Sequence, residues 1–525
     1  MTTQTTLGPP RCPACGNELE GPLPKTTGEG AVRCTKPYCG VELLPLEDGR
    51  FRIRTYRLVD HYTLFVLPFS FAGSASDPVE RLAGSDRWLE RRFSLDNEAD
   101  VDRTEYFLPY VKRFLFPSLQ PERSPGEPTC RHFQFDLARL GALEGGRLPL
   151  SLHCTDTRKK LSLDHKIGLE SAGLVVFHYR VGFLVLRFRN RDEGATYFDQ
   201  MNAAVYLRAI APLYRGFEMP TLSAGATRFP TTQLLPYLLA EFDGDRAVPS
   251  GPAQVPEKTR LPVTPIYDDR MMVYSFSCLD KNTCVPSPER CKSLLERFAI
   301  VDFNETTRPT AEEPADDLDS WTQGRWQGFS KEGGGLAVFD TDRYHERFLG
   351  DYNASYYFDI FLLATLQRVT LLSLFERLSD IPSLTTHGSE SRHLMRRVRR
   401  DVLLFKNQCW FSQITNRERG LQLWKKWQET FENKALLEEV NEQSEELDEY
   451  LQARTREKVE SLVRLGGFLA TSVPAVLGLE VLFGAKSWVG TVRWTLLVAI
   501  VVGTGMYAGF MFFRPQGILA ERTLT

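Results

Sequence analysis

Four cysteines near the start of this 525-residue chain carry its plainest chemical signal. Cys12 and Cys15 stand in CPAC, Cys34 and Cys39 in CTKPYC, and 18 residues separate the two pairs. Gly16 and Gly40 follow directly, and such tight turns aim two sulfurs at one point. Thiolates are soft donors, so two knuckles facing each other make a tetrahedral Zn2+ site. The expected cofactor is a structural zinc in a ribbon over residues 1–48, a module with too little core of its own to fold without the ion. Docking to nucleic acid or to a partner is the alternative role. The other six cysteines, Cys130, Cys154, Cys278, Cys284, Cys291 and Cys409, are scattered and read as buried or idle thiols. Of these, Cys278, Cys284 and Cys291 are close enough in sequence for a second metal site but lack an obvious fourth ligand.

Two basic clusters have the chemistry to hold phosphates. One is Arg158, Lys159 and Lys160, with His165 and Lys166 close behind. The other is Arg392, Arg396, Arg397, Arg399 and Arg400, with His393 among them. The competing reading of the second is a solvated helix face paired with the acidic run from Glu438 to Glu449. Catalysis has no comparable signal. GEGAV and KEGGGLAVF contain glycines but lack the Lys-Ser/Thr of a phosphate loop, and eight histidines are too dispersed for a catalytic metal. The chain reads as a non-enzyme.

These residues need elements to position them. Lys+Arg is 64 against Asp+Glu 67, a balance that argues against a general nucleic-acid coat. The fold class expected is α+β: a mixed domain over 49–303, an acidic linker over 304–320 and a helical remainder over 321–388. Strand-like runs occur at 50–57, 61–71, 131–137, 147–153, 172–180 and 183–189, with a hairpin turn at Val181-Gly182. Helical patterns lie near 79–92, 105–115, 195–210 and 287–298. Residues 352–378 are apolar enough to tempt a membrane assignment. However, Asp359, Gln367 and Arg368 lie inside them, and a midplane charge costs at least about 2.5 kcal/mol, so the segment reads as a buried helix. Residues 389–464 contain no proline and read as a long stalk, one helix or two broken near Gly420.

The start, MTTQTTLGPP, has neither the basic residues nor the apolar core of a secretory signal, so the bulk of the chain is expected in the cytoplasm. Two runs near the end, 465–483 and 494–513, are each about 20 residues, the length a bilayer core requires. The ten-residue link 484–493 makes them an antiparallel hairpin followed by a short tail, 514–525. Arg454, Arg456, Lys458, Arg464, Arg514 and Arg522 flank the hairpin, against Lys486 and Arg493 in the link. This asymmetry places both termini in the cytoplasm. The first span carries Thr471, Ser472, Pro474, Gly478 and Glu480. Small and polar residues either permit close helix approach or line water, and an intramembrane carboxylate needs a partner or an aqueous path. Glu480 is either a pore-mouth cation attractor or an interfacial residue neutralised by Lys486.

A large α/β cytoplasmic domain, a long helix, two C-terminal spans and a basic tail together resemble the CorA-type metal-ion channels. The likeness is organisational from about residue 50 and most specific from about 389; the zinc ribbon lies outside it. In that family the first span lines the pore and ends in Gly-Met-Asn, where this sequence reads Gly478-Leu479-Glu480. The resemblance therefore implies a homo-oligomer, a pentamer or a tetramer, with Gly478 at the pore mouth and Glu480 in place of the selectivity asparagine. Variants without the signature resemble antiphage-defence effectors of the bacterial inner membrane, in which a nucleotide or short oligonucleotide gates the pore. The implied partners are further copies of the chain, the lipid bilayer, permeating cations and such a ligand. A Mg2+ or transition-metal transporter and a membrane-tethered zinc-ribbon adaptor are the alternatives.

Overall fold

The structure is a computed structural model. It describes residues 32–33, 42–45, 51–54, 56–71, 76–119, 129–156, 161–214, 217–244, 248–256, 259–280, 295, 318–322, 324–339, 348–379 and 390–482. The chain divides into two compact units, Met1–Thr386 with Arg396–Asn441 and His387–Met395 with Glu442–Thr525.

The first unit is α+β. A small antiparallel sheet is made of β1 (Val32–Arg33), β2 (Glu42–Pro45) and β3 (Phe51–Arg54). The pairing of Arg33 with Glu42 brackets the segment that holds Cys34 and Cys39. All four ribbon cysteines lie outside the described residues.

The large sheet has thirteen strands. In chain order they are β4 (Leu58–Ser70), β5 (Trp88–Glu90), β6 (Cys130–Phe135), β7 (Leu148–Asp156), β8 (Leu161–Phe177), β9 (Val181–Asn190), β10 (Thr221–Ala224), β11 (Thr227–Pro230), β12 (Thr264–Pro265), β13 (Met272–Leu279), β14 (Leu318–Thr322), β15 (Arg325–Ser330) and β16 (Gly333–Val338). The main path runs β11-β10-β7-β8-β9-β4-β13-β16-β15-β14. Pairing is antiparallel except between β13 and β16.

β4 lies at the centre and is buried on both faces, which explains its near-continuous apolar run. Successive side chains point to opposite faces. Thr63 meets Gln200 of the helix Tyr197–Leu207 at 3.2 Å, while the Tyr62 hydroxyl donates to the Gly350 carbonyl at 2.8 Å on the other side. The second face is covered by the helix Tyr356–Ser379, whose Tyr357–Gln367 run is buried. Among the described residues one helical stretch, Gly350–Ser379, is long and apolar enough to cross a membrane, and 78% of its most apolar window is buried inside the molecule.

Several expectations need correction. The β8–β9 turn is His178–Arg180 rather than Val181-Gly182, because Gly182 stacks directly under the Phe69 ring within β9 and is a strand residue. The expected linker ends in strand, since Leu318–Ser320 begin β14. Residues 321–338 complete the sheet instead of forming helix; the Ser330–Gly335 run is rich in glycine, a poor helix former. The expected stalk is three helices, Glu390–Gln408, Glu418–Thr430 and Asn433–Leu482. Gly420 sits inside the middle one, where a Cβ would meet Tyr106 and Thr415 at 2.6 to 2.8 Å. The breaks fall instead at residues 409–417 and at Phe431–Glu432, where Glu432 takes a left-handed φ of 53°.

Candidate functional site

The three polar residues that interrupt the apolar run of the core helix Tyr356–Ser379, Asp359, Gln367 and Arg368, all find partners inside the first unit. Asp359, 1% exposed, receives Nε and Nη2 of Arg103 at 2.6 and 2.5 Å. This bidentate fork anchors the helix Glu98–Glu105 to the core helix. Gln367 donates to the Cys409 carbonyl at 2.7 Å and accepts from Gln428 at 2.7 Å. Arg368 donates to the Phe431 carbonyl at 2.5 Å, and Asn433 donates to the Ala364 carbonyl at 2.9 Å. The start of the last helix is thus fixed to the core helix by hydrogen bonds and by the stacked pair Trp427–Phe431, with Trp427 also edge-on to Phe361.

The expected ligand residues of the helix Glu390–Gln408 fall on its outer side. Val398, Val402, Phe405 and Cys409 are buried at helical spacing, while Arg396, Arg397, Arg399 and Arg400 are exposed. Arg392 lies on the same helix, with only its backbone described. The fold adds two residues that sequence spacing could not connect. Arg180, at the β8–β9 turn with φ 62°, and Arg377, near the end of the core helix, converge on Asp401. Arg377 Nη2 lies 2.6 Å from Asp401 Oδ2, and Arg180 Nη2 lies 3.7 Å from the same oxygen. Arg397 precedes Asp401 by one helical turn and faces the same side. Tyr179 closes the edge by donating from its hydroxyl to Gln408 at 3.1 Å.

Two guanidinia therefore share one carboxylate, an excess of one positive charge, and the charge of Arg397 reaches Arg180 from the same helix as Asp401. Burial, then the charges of Arg377 and Arg397, hold the Arg180 guanidinium below its usual range against the pull of Asp401. The side chains of Arg180, Arg377 and Asp401 are 22 to 28% exposed, so the cluster is reachable from solvent yet partly desolvated. That combination suits an oxyanion. The local signal in the sequence was one acid, Asp401, ending the basic run RRVRR. Nothing local pointed to Arg180 or Arg377.

Arg158, Lys159 and Lys160 lie outside the described residues. Of their neighbours, His165 Nδ1 sits 3.1 Å from Asp192, and the Lys166 amide donates to the same carboxylate at 3.3 Å. Thr471, Ser472, Pro474, Gly478 and Glu480 belong to the helix Asn433–Leu482, of which only the backbone is described there. The second span, 494–513, lies outside the described residues. Cys130, Cys154, Cys278 and Cys409 are buried thiols, while Cys284 and Cys291 lie outside the described residues. Cys278 is enclosed in β13, between β4 and β16. Comparison with protein-family models, with curated proteins and with solved structures returned no match.

Proposed function

We propose that this chain is a homo-oligomeric channel of the bacterial inner membrane, CorA-like in organisation, with both termini in the cytoplasm. A phosphate-bearing ligand, nucleotide or short oligonucleotide, bound to the α+β unit gates it, and the outcome is antiphage defence by loss of membrane potential. The copies form a pentamer or a tetramer, and the zinc held by Cys12, Cys15, Cys34 and Cys39 is structural.

The supporting observation is the helix Asn433–Leu482. Its 50 residues begin on the core helix, through Asn433 and Arg368, and continue without a break into the apolar run that starts at Leu465. At about 1.5 Å per residue it spans roughly 75 Å. A helix whose sequence begins in a folded receptor and runs on into the first apolar stretch is what mechanical coupling from ligand to pore requires.

The test is current through planar bilayers containing the purified chain. Cation-preferring current is expected, with the preference weakened by Glu480→Gln and the current reduced by a bulky residue at Gly478. Inserted protein that passes no current with or without ATP would overturn the reading and leave the membrane-tethered adaptor.

A further inference from the structure

We propose that Asp401 is a built-in occupant of an oxyanion site, held by Arg377 and Arg180 until the phosphate of a small phosphorylated ligand takes its place. Both guanidinia address the same carboxylate oxygen, at 2.6 and 3.7 Å. Arg397, one turn before Asp401, stands exposed on the same side. A carboxylate carries one negative charge and a terminal phosphate about two, so the phosphate neutralises Arg180 and Arg377 more completely. A planar guanidinium also matches phosphate and carboxylate geometry equally well, which makes exchange of one for the other stereochemically simple. The site takes any small ligand that presents a phosphate at its end.

The position of Asp401 gives the exchange a consequence. Asp401 rides on the helix Glu390–Gln408, whose first residues, up to Met395, belong to the second unit. Displacing the carboxylate removes its tie to Arg377, near the C-terminal end of the core helix, and to the β8–β9 turn. The inference deepens the ligand-gated reading and rests on it only for what binding does.

The experiment is calorimetric titration of the full chain in detergent with inorganic pyrophosphate and, separately, with ATP. Saturable binding that weakens with salt is expected for both. Arg180→Ala and Arg377→Ala each weaken it about tenfold, and the Lys replacements recover part of the loss. Asp401→Asn tightens binding about tenfold, because the competitor is gone. Tighter binding of ATP than of pyrophosphate identifies a nucleotide ligand; equal binding identifies a free oxyanion. Asp401→Asn that binds no better than the parent, in a protein with unchanged elution volume, overturns the proposal. A chain that binds as expected but conducts nothing overturns the channel reading alone.

Discussion

Asp359 is the residue on which two readings of one segment turned. An apolar stretch with a carboxylate in it belongs in lipid only if the charge has somewhere to go. Here it has the Arg103 fork, and both partners sit inside the first unit. Losing one member of such a pair leaves the other charge poorly solvated. Asp359→Asn is expected to destabilise the first unit by about 3 kcal/mol, read as a lower denaturant midpoint. An unchanged midpoint would mean the pair contributes nothing.

His61 offers a second residue-scale prediction. It is 7% exposed and lines a small cavity beside Asn190 and Gln200. Burial, then the charge of Arg189, hold its imidazole down to about 4, against Asp60 and Glu170. The unfolded chain protonates this group near pH 6.5. Between about pH 6.5 and 4 the unfolded state therefore binds the extra proton, and stability falls on acidification by on the order of 3 kcal/mol. His61→Gln is expected to flatten the dependence of the melting temperature on pH in that window. Identical slopes for both proteins would contradict it.

At the scale of elements, the glycine run of β16 shows what a sequence leaves open. KEGGGLAVF was legible as something other than a phosphate loop, but not as a strand. The reason lies in partners far along the chain: Gly334 packs between the Gly328 carbonyl and the Trp427 ring, where a Cβ would come within 2.3 and 2.8 Å. Gly334→Ala is expected to cost about 2 kcal/mol or more, measured by thermal melting, and to separate Trp427 from the sheet. No loss of stability would show that β16 can shift freely.

Strands with strong β-branched and aromatic content, β4, β6, β7 and β9, were visible within a few residues, whereas of β8 only the second half was legible and its first eleven residues were not. β10 to β12 and β14 to β16 were not; most are short, and their burial comes from neighbours rather than from their own pattern. Helix breaks escaped for a similar reason. The Phe431–Glu432 break contains no glycine or proline and is held by Arg368, Asn433 and the Lys331–Glu432 pair at 2.6 Å. Of the oxyanion site, the arginines of the helix Glu390–Gln408 were legible from their density alone. Arg180 and Arg377 were not, because only the fold brings residues so distant in sequence to one carboxylate.

At the scale of the molecule, the proposed channel needs an α+β unit that reads phosphate and apolar C-terminal runs that pass ions. Both depend on residues 465–483 and 494–513 lying in lipid as a hairpin. Alkaline carbonate extraction of membranes from cells producing the chain, with a Lys486→Cys variant labelled by an impermeant maleimide, tests this directly. The account predicts that the chain stays in the membrane pellet and that Cys at 486 is labelled from the periplasmic side, with no labelling of a cysteine placed at Thr525. Release of the chain into the alkaline supernatant, or labelling at 525 but not at 486, would contradict it.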